Sequence, residues 1–214
     1  CYMEAEQLAD EVEDDYLVGL LYAELGRIYN IYYDFPKSLE AHQKAAECYE
    51  RAGKIRHRNY MWYNQSNVYR NLNHYKESEH LLQMAMDAGK KENDNTLIRL
   101  CMGDLIMLYI ERDRIKEASM LYHDFKNCVG NDYGTSSFLC SLAQMYVAEQ
   151  DYKQAEAYIK EGWNRAKTSM DSVRLYLSSS ELVYKIGNEQ GAYEEFLKGI
   201  SLQKDKDSSD NSQF

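Results

Sequence analysis

The sequence predicts an all-α fold of stacked helical hairpins, an α-solenoid, on three observations. The first is the stretch Trp62 to Ala85, WYNQSNVYRNLNHYKESEHLLQMA, which holds two amphipathic helical patterns joined at Asn73-His74. Trp62, Gln65, Ser66 and Tyr69 share one side of the first, and Tyr75, Ser78, Leu82 and Ala85 one side of the second. Two short amphipathic helices so close in sequence pack antiparallel, with Ser66 and Ser78 letting the backbones approach. The second observation is a recurring tyrosine, at Tyr29, Tyr69, Tyr109, Tyr146 and Tyr184, with spacings of 40, 40, 37 and 38. The third is a recurring small residue, at Ser38, Ser78, Ala118, Ala155 and Ala192, with spacings of 40, 40, 37 and 37. Two markers holding one period indicate hairpins that are each too small to bury their own apolar face and are buried by their neighbours. A chain of 214 residues with one proline, 20 tyrosines and 44% hydrophobic residues suffices for such a core.

Taken in order, residues 2–13 (Tyr2, Ala5, Leu8, Ala9, Val12) read as the second helix of a hairpin whose first helix is absent. This suggests a slice of a longer protein. Asp14-Asp15 is placed to cap the next helix, about 16–32, where acids suit the positive end of the helix dipole. Asp34 caps its partner, with Pro36 tolerated in the first turn and an end near Gly53. The second hairpin covers about 57–90, and Asn93-Asp94-Asn95 breaks the chain and caps the third, about 96–128. Gly130-Asn131-Asp132 and Gly134 form the next joint, followed by hairpins at about 135–167 and 171–203, the last turning at Gly187-Asn188. The reading is a solenoid over 1–203, of five hairpins plus one extra N-terminal helix. Residues 204–214, KDKDSSDNSQF, lack periodicity and read as a polar tail or linker.

These hairpins resemble tetratricopeptide repeats, whose signature is an aromatic, Leu-Gly and Tyr on helix A, with Ala, Phe and Ala on helix B. The best copy is Tyr22, Leu25, Gly26, Tyr29, then Phe35, Ser38, His42, Ala45. The last is Leu177, Ser180, Glu181, Tyr184, then Ala192, Phe196, Gly199. The resemblance covers residues 2–203 and implies a right-handed superhelix. The chain departs from the family in its period, which exceeds the usual repeat of about 34. It departs also in lacking the proline that often ends helix B, and in Ile106 and Glu181, which stand at small-residue positions. The longer period is similar to that of such domains in bacterial regulators and kinesin light chains.

Composition removes several function classes. The net charge is −10, and residues 1–15 hold seven acids and no base. An acidic chain without a basic stripe argues against direct nucleic-acid binding, which needs Lys and Arg to neutralise phosphates. No run of about 18 uncharged apolar residues is present to span a membrane. Five cysteines (Cys1, Cys48, Cys101, Cys128, Cys140), odd in number and without C-x-x-C, form neither a disulfide framework nor a zinc site. They lean to a reducing, cytoplasmic-type compartment, although Cys1 matches either a fragment end or a lipidated terminus. The histidines (His42, His57, His74, His80, His123) make no metal motif, and His42 reads as a hydrogen-bonded, partly buried imidazole. There is no phosphate loop or nucleophile elbow. The expectation is a chain with no cofactor, no metal and no enzymatic activity.

The feature above this background lies on the second hairpin. Tyr60, Asn64, Asn67 and Asn71 are spaced four, three and four apart and line one stripe of a helix. In the family resemblance this stripe faces the concave groove, with Tyr63 and Arg70 flanking it and Arg27 and Asn30 at equivalent sites of the first hairpin. Asparagine is a poor helix former, so three on one face need a reason. Side-chain amides both donate and accept, which suits the backbone of an extended peptide; solvated asparagines, or a stripe that knits neighbouring repeats, are the alternatives. Some tetratricopeptide domains clamp a C-terminal carboxylate with Lys and Asn residues, but Ala23, Arg27, Leu100 and Asp104 replace those residues and only Asn64 matches. Gly103, Met107, Ile110, Cys140, Gln144 and Val147 would form a more apolar floor. Two functions follow: a non-enzymatic scaffold that binds a peptide or partner segment in the groove, or the sensory or oligomerising part of a larger bacterial signalling or transcription regulator. Self-association would use the one-sided helix 2–13.

Overall fold

The computed structural model describes residues 14–129 and 135–210, without the side chains of 128–129 and 204–210. The expected helix 2–13, the joint at 130–134 and residues 211–214 lie outside the described residues. The described residues form ten α-helices and no strand, the fold of tetratricopeptide-like repeats. They are α1 (Asp15–Ile31), α2 (Phe35–Arg51), α3 (Ile55–Asn71), α4 (Tyr75–Lys91), α5 (Asn95–Glu111), α6 (Ile115–Val129), α7 (Ser136–Ala148), α8 (Tyr152–Arg165), α9 (Ser169–Lys185) and α10 (Glu189–Asp210). Odd-numbered helices are the A helices and even-numbered ones the B helices.

Each A–B turn is built the same way. Its central residue takes the left-handed conformation: Tyr33, Asn73, Asp113 and Gln150 at φ of 62, 60, 56 and 63°, and Gly187 at 90°. These positions repeat at 40, 40, 37 and 37, the interval of the small residues. The residue that follows donates its N–H back across the helix end, from Asp34 to Tyr29 O, His74 to Tyr69 O, Arg114 to Tyr109 O and Asp151 to Tyr146 O. This six-to-one bond satisfies a carbonyl that the helix end leaves open. In the fifth turn Asn188 N–H donates to Val183 O, not to Tyr184 O.

That bond corrects the register read from the recurring tyrosine. Tyr184 lies one residue past its expected place, and the true counterparts in the fifth A helix are Tyr176, Ser179, Ser180 and Val183. Ser180, not Glu181, therefore occupies the position of Gly26 and Ser66. Its hydroxyl donates to Ala192 O across the hairpin at 2.8 Å.

Residues 1–105 and 106–214 form two compact units. In the first, Asp14 caps α1 by accepting from Tyr16 N–H at 2.8 Å, and Asp34 caps α2 ahead of Pro36. Leu25, Tyr29 and Ala41 form one buried cluster, and Ala45, Ala46, Tyr49 and Met61 another that joins α2 to α3. Ser38 and Ser78 are fully buried at the crossings. Ser38 Oγ donates to Gly26 O at 2.7 Å, whereas Ser78 Oγ has no hydrogen-bond partner. His42 is buried at 2% exposure with Nδ1 unpartnered, so the expectation of a hydrogen-bonded, partly exposed imidazole is corrected. Its ring fills the space that a side chain at Gly26 would need, since a Cβ there would lie 2.6 Å from the ring. Asp94, 1% exposed, caps α5 through Leu97 N–H and pairs with Arg56 Nε of α3 at 2.5 Å.

In the second unit α9 lies across both α7 and α8. Leu175 of α9 is fully buried and occupies the space that a Cβ at Gly162 of α8 would need, and Tyr176 packs edge-on to Trp163 at 4.8 Å. Thr168 and Asp171 close a capping box at the start of α9. The hydroxyls of Tyr122 and Tyr158 meet at 2.6 Å inside the core. Helix α10 runs to Asp210, past residue 203 and into the stretch read as a tail. A helix already nucleated by packing extends through polar residues at little cost, which residue periodicity does not report.

Candidate functional site

The expected site residues all lie on the two A helices α1 and α3 of the first unit. Arg27 and Asn67 hold one repeat position, and Asn30 and Arg70 another, by the 40-residue offset. Helix α3 packs against α1, and one amide pair joins them: Asn71 Nδ2 donates to Asn30 Oδ1 at 3.1 Å. Asn71 is exposed and Asn30, Tyr60, Tyr63, Asn64, Asn67 and Arg70 are half-buried. Arg27 is exposed and paired with Glu24 at 2.9 Å.

The stripe divides by use. Asn71 knits two repeats. Tyr63 lies beside Asn67 of its own helix and Asp104 of α5; burial, then the Asp104 charge, push its pKa up. Tyr60 lies beside Asp94, and burial raises its pKa too. Asn67 Nδ2 also donates to Tyr63 O at 3.3 Å. Asn64 makes no side-chain hydrogen bond among the described residues, so its amide keeps both donor and acceptor capacity beside Tyr60, Tyr63 and Asn67.

Sequence reasoning missed two acids here. Asp104, which stands where a clamp would have a cation, lies beside Tyr63 and its charge helps to raise that hydroxyl's pKa. Asp94, expected as a cap, also pairs with Arg56, and that hydrogen bond is the main cause of its lowered pKa. The expected apolar floor is not open where the fourth hairpin supplies it: Cys140 and Val147 are 6% and 4% exposed, and Cys140 lies beside Ser178 of α9. Both are buried and do not line an open surface.

Among the described residues no group of three His, Cys, Asp or Glu side chains is placed to hold an ion. Cys48, Cys101 and Cys140 are buried free thiols, and burial pushes Cys101 up to about 12. No described helix is long and apolar enough to cross a membrane. A cleft of 300 Å³ between α3 and α4 is lined by Arg58, Trp62 and Met84 among others. Its Arg58 is already used, stacked 4.5 Å over Trp62 and bonded to Glu50 and Asn59.

Comparison with solved structures places the fold among tetratricopeptide-like repeat proteins. RapI in its apo form is similar over 97% of this chain and 90% of its own, at 13% identity and a TM-score of 0.72. NprR in complex with its cognate peptide NprX is similar over 95% of this chain, at 16% identity and a TM-score of 0.70. This chain spans 60% of NprR. YrrB, a tetratricopeptide protein with an unusual peptide-binding site, matches 96% of this chain and 95% of its own, at 16% identity and a TM-score of 0.57. No protein-family model and no curated protein matches the sequence. At such identities the likeness is one of fold.

Proposed function

We propose that the chain is a non-enzymatic interaction scaffold that takes a peptide or extended partner segment along the A-helix face of α1 and α3. The observation that carries this reading is Asn64: a half-buried amide with its bonding capacity unused, flanked by Tyr60, Tyr63 and Asn67. Two tyrosine rings supply apolar area, and an amide that both donates and accepts matches an extended peptide backbone. Arg27, Asn30, Arg70 and Asn71 form the surrounding polar rim. The likeness to NprR, solved with a peptide, supports the same class of ligand.

The test begins with peptides selected from a random displayed library against the intact chain. Asn64→Ala with Asn67→Ala is expected to weaken such a peptide at least tenfold, about 1.4 kcal/mol, while the melting temperature stays nearly constant. Unchanged affinity would refute the reading, and parallel loss of affinity and melting temperature would assign the stripe to structure.

A second reading, the sensory or oligomerising part of a larger bacterial regulator, is favoured by the likeness to the quorum sensor NprR of B. thuringiensis, of which this chain spans 58%. The neighbouring coding sequence tests it: a fused DNA-binding or kinase domain supports this reading, and its lack removes it.

A further inference from the structure

The fifth hairpin carries a surface that the fourth buries. Where α9 covers the α7–α8 hairpin, Cys140, Val147 and Ile159 are 6%, 4% and 7% exposed. Their counterparts Leu177, Tyr184 and Phe196 are 38%, 58% and 43% exposed. They line a cleft of 570 Å³ between α9 and α10. Tyr193 and Leu197, one turn apart on α10 and 58% and 46% exposed, extend the apolar surface. The counterparts of Leu197 in the four earlier hairpins are Gln43, Gln83, His123 and Lys160, all polar. The face is thus more apolar than repetition of the hairpin requires.

Its charge is equally distinct. The cleft is lined by two acids, Glu181 and Glu189, and by no lysine or arginine. Glu181 stands where the earlier hairpins have Arg27, Asn67, Met107 and Gln144. Glu189 stands where they have Phe35, Tyr75, Ile115 and Tyr152. No acid occupies either position before. Glu189 opens α10 and suits its N-terminal dipole; Glu181 has no such role.

We infer that this face docks an amphipathic helix of another protein, one with an apolar ridge for Leu177, Tyr184 and Phe196 and Lys or Arg flanking it to meet Glu181 and Glu189. The shape is set by what fills the same surface on the fourth hairpin, which is a helix. The sign is set by the two acids. A second copy of this chain is disfavoured, because apposing the face to itself brings four acids together with no base lining it. Within the described residues the backbone after the small residue Ala192 does not turn over the cleft as it does after α2 and α4. There the chain reverses at Gly53 and Asn93, 15 residues past the small residue, while the corresponding residue 207 lies within α10.

The test uses the intact chain and two synthetic 18-residue amphipathic helical peptides with the same leucine ridge. One carries Lys on both flanks and the other Glu, and anisotropy reads both affinities. The Lys peptide is expected to bind at least tenfold more tightly than the Glu peptide, with Glu181→Lys plus Glu189→Lys reversing that order. Tyr193→Asp with Leu197→Asp, both already exposed, and separately Phe196→Asp, are expected to abolish binding with helical circular dichroism retained. Asn64→Ala with Asn67→Ala should leave this binding unchanged, which separates this site from the A-helix face. Equal affinity for the two peptides, no binding of either, or binding indifferent to the aspartate variants overturns the inference. A dimer in sedimentation that Phe196→Asp disperses also overturns it, since a second copy would then be the occupant.

Discussion

At the residue scale, the five A–B turns pose one steric problem and solve it with different residues. The left-handed conformation is easy for Gly187 and tolerable for Asn73 and Asp113, but Tyr33 adopts it at φ 62° with its ring 79% exposed. A bulky residue there carries strain of about 1 kcal/mol or more. Tyr33→Asn should therefore raise stability by about 1 kcal/mol in urea melts, less the edge contact with Phe35. The two crossing serines differ similarly. Ser38→Ala, losing the bond to Gly26 O, should cost about 1 kcal/mol, while Ser78→Ala, which removes a buried unpartnered hydroxyl, should be neutral or stabilising by about 1 kcal/mol. His42 couples this packing to pH. Desolvation lowers its pKa from 6.5 to about 4 against a smaller opposing pull from Glu24. The unfolded chain thus binds a proton that the folded chain refuses, so stability contributed by neutral His42 is full above pH 6.5 and is lost as pH falls towards 4. The loss amounts to about 3 kcal/mol. His42→Leu, the residue at the equivalent position 82, should flatten that part of the stability–pH curve.

At the element scale, each helix is held by what lies across it more than by its own propensity. Leu175 shows this: fully buried, it sits on α9 yet fills space against Gly162 of α8 and near Leu139 of α7. Leu175→Ala should cost about 2–5 kcal/mol, and amide exchange should show lost protection in α7 and α8 as well as in α9. Asp94 does the corresponding work at the start of α5. Asp94→Asn keeps the cap to Leu97 N–H but removes the charge facing Arg56. The expected loss is about 1 kcal/mol, because Arg56 is 63% exposed and solvent screens the pair. The capping residues expected for the first hairpin hold, since Asp14 and Asp34 cap as their residue types require. The periodicity misplaced the register of the fifth A helix by one residue, because Tyr184 offered a matching side chain where the bond from Asn188 N–H to Val183 O sets the register.

At the scale of the whole molecule, contacts in a stack of hairpins are short-range in sequence, so folding free energy is shared among neighbours and cooperativity need not span the chain. The two tryptophans report this directly, since Trp62 lies in residues 1–105 and Trp163 in 106–214. Single-tryptophan variants Trp62→Phe and Trp163→Phe should give different denaturant midpoints by fluorescence; coincident midpoints and equal slopes would show one all-or-none transition.

Taken alone, the sequence determined the all-α repeat architecture, the positions of the turns and the stripe on α3, because helical period, capping residues and small crossing residues are local properties. Only the tertiary structure decided which stripe residues are already spent and which surfaces stay open. Asn71 is bonded to Asn30, Tyr63 is half-buried beside Asp104 and Cys140 is buried beside Ser178, while Asn64 keeps its amide and Phe196 its exposed ring. The physical reason is that hydrogen-bond partners and buried neighbours come from residues some 40 positions away, at distances set by how helices lie on one another, which no local pattern encodes.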